Sequence, residues 1–399
     1  MFEKLVRPKA DPIFERATEF IKDIRKDKID LSVGVFRDPS GRTPVMQAVR
    51  VAQERVVSEE QTKTYAGLSG FADFNATMLE LLFASAGKDN KSLVSLQTPG
   101  GAGAVRLLCE LVKIVSPDAT VWISGQTWAP HYTIMDAVGF KWRSYRYYDE
   151  NAGGVDLDGM LKDLRQARRG DVVLLHGCCH NPTGVDLSAE QWSEVATVLS
   201  GNGLLPLVDM AYQGLGDGLD EDAAGIRQLV NQVPQLLLAA SCSKNFGVYR
   251  DRAGCAVAFA RDPQIASVMR ENMVLLARGN YSMPPHHGAL IVTTVLADPQ
   301  LRAMWQSELA GMREQIKSAR AQLANAIGVN LGTDRFHYFT GQKGMFSLLP
   351  LSNEDCNRLK DHYGIFVTPD GRLNMAGLSA NNVERVGRAL SEILATKRG

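Results

Sequence analysis

A lysine just past a buried run is chemically conspicuous. Leu236-Leu237-Leu238-Ala239-Ala240 is followed by Ser241-Cys242-Ser243-Lys244-Asn245. Lysine ordinarily extends its ammonium to water. Enclosed among small residues, the charged form is disfavoured and a free amine becomes available for Schiff-base chemistry. Leu204–Val208 likewise ends in Asp209, with Tyr212 shortly after it. A carboxylate there needs a cation, a metal or hydrogen-bond donors; alone, it reads equally as a structural cap. Pro99-Gly100-Gly101-Ala102-Gly103 feeds a helical pattern. Such a turn presents free N–H groups and the positive end of the helix dipole, which suits a phosphate, or it is simply a tight turn. It is not a full dinucleotide fingerprint, because Arg106 stands where the third glycine belongs. Asn181-Pro182-Thr183-Gly184 is turn chemistry, and Arg252 follows Lys244 in Tyr249-Arg250-Asp251-Arg252-Ala253-Gly254. Singly, each feature is more readily structural than functional. Together they offer a phosphate cradle, a ring-nitrogen carboxylate, a phenol, an amine nucleophile and a phosphate arginine. Those are the parts of a site for pyridoxal 5′-phosphate.

The elements that must position these residues alternate. Apolar runs at Ser92–Thr98, Thr120–Ser124, Asp171–His176, Leu204–Asp209 and Leu236–Ser241 read as strands. Helical patterns lie between them: Val105, Leu108, Val112 and Val115 share one face, and Ser188 with Gln191 opens Ser188–Leu199 as a capping box. This alternation predicts an α/β fold with a mainly parallel sheet covered by helices, and ligands at the carboxyl ends of its strands. The C-terminal part differs, with a long helix over Leu301–Ile327, strand signals at Gly344–Leu349 and Ile365–Thr368, and a last helix, Asn382–Ala395.

The chain has 399 residues, enough for a large and a smaller domain. Its 44 basic and 44 acidic residues balance, which gives no electrostatic reason to expect nucleic acid or an anionic membrane. The six cysteines lie in or beside apolar runs and read as reduced thiols. The charged N-terminus, with Glu3, Lys4, Arg7 and Lys9, is unlike a signal peptide, and no apolar run is long enough to span a bilayer. A cytoplasmic protein acting on small molecules is expected.

Several ordered motifs then carry a family resemblance. They are Asp11-Pro12-Ile13, Val33-Gly34-Val35, Thr98-Pro99-Gly100-Gly101, His176-Gly177-Cys178-Cys179-His180-Asn181-Pro182-Thr183-Gly184, Asp209-Met210-Ala211-Tyr212-Gln213-Gly214, Ser243-Lys244-Asn245-Phe246-Gly247, Tyr281-Ser282-Met283-Pro284-Pro285 and Gly371-Arg372-Leu373-Asn374. The sequence resembles the class I, fold type I aminotransferases of the aspartate and aromatic group, and is most like bacterial tyrosine and aromatic aminotransferases. That resemblance implies a large cofactor domain over 45–311 with a seven-stranded sheet. It also implies a small α+β domain of 312–399 joined by the segment 1–44.

The resemblance further implies roles. Lys244 carries the cofactor and moves the proton at the substrate's Cα. Asp209 pairs with the ring nitrogen, supported by His131 and His176. Tyr212 and Asn181 bond the ring oxygen, and Trp128 stacks on the ring. Gly101, Ala102, Ser241 and Arg252 hold the phosphate, joined by Tyr65 of a second copy in a homodimer with shared sites. Arg372 clamps the α-carboxylate of an amino acid or 2-oxo acid near Gly34, and Arg278 of the second copy faces a distal carboxylate.

There are departures from the family pattern. Ala102 lacks the usual hydroxyl, Phe36 replaces a Tyr, Pro130 and Met283 stand where aspartate-specific members often have Asn, and Asp370 replaces a Ser or Ala. An aminotransferase of aromatic amino acids and aspartate is therefore the leading expectation, with a strict aspartate enzyme beside it. A nicotinamide-dependent dehydrogenase would have no use for Lys244 with Asp209. A regulator of this fold would need an added DNA-binding domain, for which no residues remain.

Overall fold

Runs rich in Leu, Val and Ile pack best when both faces of a strand are covered, and the chain places them accordingly. The computed structural model describes residues 2–6, 11–87 and 90–395. Arg7 and Lys9, read above as part of the charged N-terminus, lie outside the described residues. The main sheet has seven strands: β1 (Leu93–Pro99), β2 (Thr120–Ser124), β3 (Lys141–Tyr145), β4 (Val172–His176), β5 (Leu205–Met210), β6 (Gln235–Ser241) and β7 (Ala253–Ala260). Their spatial order is β1-β7-β6-β5-β4-β2-β3. The pairs β2–β3, β2–β4, β4–β5 and β5–β6 are parallel, while β7 runs antiparallel to both β1 and β6.

That topology determines where the chemistry collects. The carboxyl ends of β1, β4, β5 and β6 share one edge of the sheet. Because β7 runs the other way, its amino end lies at that same edge, with Ala253 opposite Pro99 and Gly254 opposite both Thr98 and Ser241. Arg252, immediately before β7, is thereby delivered beside Lys244.

Helix α1 (Gly100–Val115) covers the sheet. It buries Val105, Leu108 and Val112 in a core shared with Leu96, Leu174, Leu237 and Ala256. Val115, expected on the same face, is exposed because it is the last residue of the helix. The helix Ala189–Asn202 begins at Ser188 with the capping box intact: Gln191 N–H donates to Ser188 Oγ at 3.3 Å, and Ser188 N–H to Gln191 Oε1 at 2.9 Å.

The chain divides into two units. The described residues of Met1–Arg42, Gln315–Gly341 and Met345–Gly399 form one; Thr43–Glu314 with Gln342–Gly344 form the other. In the first, Ile29–Asp30 pairs parallel with Ile365–Phe366, and Phe346–Leu348 pairs antiparallel with Arg372–Asn374. Ile316, Ala319 and Leu323 of the helix Pro299–Leu331 are buried there. No helix among the described residues is long and apolar enough to cross a membrane.

The turn that carries Lys244 is fastened from below. Trp305 is fully buried, its ring stacks on Phe246 with centroids 4.4 Å apart, and its indole N–H donates to Asn245 O at 2.7 Å. Trp305→Ala removes a large core side chain and leaves that carbonyl without the indole. It is expected to lower stability by about 3–5 kcal/mol, read as a lower urea midpoint. A variant with an unchanged midpoint would mean that the turn is held elsewhere.

Candidate active site

One cavity at the strand ends gathers most of the candidate residues. It measures about 520 Å³ including its open mouth, and is lined by Gly101, Ala102, Trp128, His176, Asn181, Asp209, Ala211, Tyr212, Ser241, Ser243, Lys244 and Arg252. Tyr65 and Arg278 do not line it, and both are exposed. His131 is buried behind Asp209.

Asp209 ends β5 and is buried. His131, in the helix Pro130–Val138, meets it with Nε2 at 3.2 Å from Oδ2. Burial alone would raise this carboxyl. The His131 hydrogen bond and the neighbouring His131, His176 and Lys244 outweigh burial and hold it below the usual range. Behind His131, the Thr127 hydroxyl lies 2.8 Å from His131 Nδ1 and 3.1 Å from His176 Nε2. A carboxylate only accepts, so His131 Nε2 carries a proton and donates to Asp209, while the Thr127 hydroxyl bridges His131 Nδ1 and His176 Nε2. Burial, reinforced by His131, lowers His176 to about 3 against the opposing pull of Asp209. His176 is therefore neutral near pH 7.

Lys244 faces Asp209 from the next strand end. Its Nζ lies 4.8 Å from the Tyr212 ring centroid. Asn181 donates from Nδ2 to the Tyr212 hydroxyl at 3.4 Å. The amine, the phenol and the amide thus sit together on one wall. Trp128 stands edge-on to His131, with centroids 5.2 Å apart.

The far end of the cavity is an anion cradle. Arg252 has φ 56° and donates from Nη1 to Tyr249 O at 2.9 Å and to Ser243 Oγ at 3.4 Å. A Cβ on Gly100 would lie 2.5 Å from Arg252 Nη2, and one on Gly254 would lie 2.4 Å from the Gly100 backbone. The two backbone segments and the guanidinium can therefore close on one another because Gly100 and Gly254 lack side chains. The guanidinium, the α1 N-terminus and the Ser241 and Ser243 hydroxyls converge there. Ala102 brings no hydroxyl, and Ser243, which the sequence reading did not single out, lines the cavity instead. Its place in the small-residue turn between Ser241 and Lys244 was the available signal. The residues present fit pyridoxal phosphate, with an anion cradle, a carboxylate for the ring nitrogen and an amine between them.

Gly34 and Arg372 belong to the other unit. Arg372, on Arg372–Asn374, donates from Nη2 to Ser32 O at 2.8 Å, and its guanidinium lies 4.3 Å over the Phe346 ring. Asn374 Nδ2 donates to Val33 O and Val35 O at 2.8 Å each, which frames Gly34. A Cβ on Gly34 would meet Phe346 Cζ at 2.7 Å, so this backbone needs glycine to pass the ring.

Gly100→Ala places a methyl against the Arg252 guanidinium at a left-handed φ of 72°. It is expected to weaken cofactor retention by about tenfold or more, since the backbone strain alone costs about 1–2 kcal/mol. Equilibrium dialysis measures this, and unaltered retention would show that the cradle does not bind the phosphate.

With this geometry in view, comparisons with known proteins can be weighed. A family model described as aminotransferase class I and II matches residues 26–390. The chain is 46% identical over 389 residues to an aromatic-amino-acid aminotransferase of Paracoccus denitrificans, covering 97% of this chain and 98% of the relative. It is 42% identical over 399 residues to an aspartate aminotransferase of Haemophilus influenzae, covering 99% and 100%. The crystal structure of an aromatic-amino-acid aminotransferase from Burkholderia pseudomallei, covalently bound to pyridoxal phosphate, superposes with a TM-score of 0.95 at 34% identity, covering 99% of each chain.

Proposed function

Because the chain belongs to the class I and II aminotransferase family, we propose that it moves the amino group of an aromatic amino acid, and of aspartate, to 2-oxoglutarate. The observation that carries this reading is one cavity holding the Lys244 amine, 4.8 Å from the Tyr212 ring, together with the His131-bonded Asp209 carboxylate. The relatives named for aromatic amino acids and for aspartate support both donor classes.

Pyridoxal 5′-phosphate, when bound, supplies an electron sink for the pair left when the substrate's Cα gives up a proton. Lys244 is the residue that binds it covalently, and its freed amine then takes and returns that proton. Asp209, held ionised by His131, keeps the ring nitrogen protonated, and His176 steadies His131 through Thr127. Tyr212 and Asn181 hydrogen-bond the ring oxygen, and Trp128 covers a ring face. The N–H groups at Gly101 and Ala102, with Ser241 and Arg252, hold the phosphate. Arg372 binds the α-carboxylate as a bidentate pair, with Gly34 leaving room for it.

Tyr65, 87% exposed, and the exposed Arg278 are proposed to serve a second copy's site in a homodimer. All six cysteines are buried and free, which supports the cytoplasmic location expected from the sequence. A strict aspartate enzyme is the second reading, supported by the Haemophilus influenzae relative.

The donor side chain decides between these readings. Arg278 pairs with a distal carboxylate and has nothing to pair with on an aromatic ring. Arg278→Leu is expected to cut kcat/KM for aspartate about a hundredfold, the scale of a lost charged hydrogen-bonded pair, and to leave phenylalanine within about fivefold. Single half-reactions followed by cofactor absorbance measure both. Wild type thousands of times poorer on phenylalanine than on aspartate would make the enzyme aspartate-specific.

A further inference from the structure

Asn181 and Tyr212 stand on separate turns, and their amide and phenol meet at 3.4 Å. Each turn is fixed by a carboxylate that does not line the cavity. Asp186 accepts the Cys179 N–H at Oδ2, 2.7 Å, and the His180 N–H at Oδ1, 2.8 Å. It thus grips both peptide groups leading into Asn181. Gly184, at the other end of that turn, donates to His180 O at 2.7 Å and accepts from Lys343 N–H at 2.6 Å. Cys179 is held at φ 51°, a strained angle for a side-chain-bearing residue.

The turn after Tyr212 has a matching clasp. Asp222 accepts from the N–H groups of Gly214, Gly216 and Asp217 at 2.8–2.9 Å. Asp217 in turn forms an ion pair with Lys343 Nζ at 2.6 Å. Lys343 therefore touches both clasps, by its backbone on the Asn181 side and by its ammonium on the Tyr212 side. Gly344 follows at φ 71°, where a Cβ would meet Cys179 Cβ at 2.2 Å. The segment presses directly on the strained residue.

We infer that Asp186, assisted by the Lys343–Asp217 ion pair, is a positioning residue that sets the distance and aim of Asn181 and Tyr212. Through them it governs the pH at which the bound cofactor changes its visible absorption. The inference rests on the assignment of those two side chains to the cofactor's ring oxygen. Its physical basis is that an ionised carboxylate can accept from two N–H donors at once, whereas a protonated one must turn an O–H towards one of them. Burial pushes Asp186 up to about 6, against the two N–H bonds and Lys343, with Asp222 pushing the same way as burial. Tyr147 and the Cys178 and Cys179 thiols also face it; burial keeps Tyr147 and Cys179 neutral, and at Cys178 the Cys179 hydrogen bond pulls the thiol down but burial and the nearby carboxylates prevail. His180, on the same turn, is likewise kept neutral by burial. Lys343 thus helps the two N–H donors keep Asp186 ionised near neutrality, and removing it lets the turn slacken at a higher pH.

The test is a pH titration of the holoenzyme's visible absorption in four variants. Asp186→Asn can accept only one of the two N–H groups and is expected to raise the midpoint by about half to one pH unit, the scale of one hydrogen bond. Lys343→Met should move it the same way by less, because that pair is partly exposed, while Lys343→Arg should leave it unchanged. Tyr212→Phe is the control for the underlying assignment and must also raise the midpoint. If Tyr212→Phe moves it while Asp186→Asn and Lys343→Met do not, the positioning role is overturned and the assignment stands. If Tyr212→Phe leaves it unmoved, the assignment falls and this inference with it. Should Asp186→Asn fail to fold, Lys343→Met against Lys343→Arg decides the question alone.

Discussion

The structure turns on a buried carboxylate that stays charged. An unpaired ion at the end of a central strand costs several kcal/mol, and Asp209 is held there by the His131 hydrogen bond, with Lys244 adding to it. Behind that bond, the Thr127 hydroxyl bridges the His131 and His176 rings. Removing any member leaves an orphaned polar group in the core. A standing negative charge in an enclosed cavity is the feature that lets a heteroaromatic cofactor be held in its protonated, electron-accepting form.

The sheet supplies the second constraint. Four parallel strand ends and one antiparallel strand start meet along a single edge. Acid, amine, glycine turn and arginine consequently come within reach of one small molecule, although the chain between Gly101 and Arg252 is long. Close backbone approach completes the arrangement: Gly254 lets β7 pass against the Gly100 backbone, and Gly100 leaves room for the Arg252 guanidinium. The anion cradle is therefore a packing consequence of the fold as much as a set of ligands.

Much of this was legible in the residues themselves. The five apolar runs are strands, and three of the polar residues that end them, His176, Asp209 and Ser241, line the cavity. What escaped the reading has physical reasons. β7 is Ala-Gly-Cys-Ala-Val-Ala-Phe-Ala, whose small residues carry little strand preference and are selected by close packing between β1 and β6. β3, Lys-Trp-Arg-Ser-Tyr, is an edge strand mostly facing solvent, so no apolar run marks it. Ser243 and Thr127 are small hydroxyl residues whose importance lies wholly in what surrounds them. Trp305 fastens the Lys244 turn from 60 residues away in sequence, a contact that no local pattern encodes. Tyr65 and Arg278 are a different case: both are exposed and neither lines the cavity.

The central claim is that the Asp209 charge does chemical work across the cavity from Lys244. The most direct test is the single half-reaction rate with amino donor in Asp209→Asn and Asp209→Glu. An amide cannot hold the ring nitrogen protonated. The account therefore predicts that Asp209→Asn slows the step by about a hundredfold or more, at ~1.4 kcal/mol per factor of ten, with Asp209→Glu retaining substantially more. Near-wild-type rates in both variants would contradict it, and Asp209 would then be only a buried cap on β5.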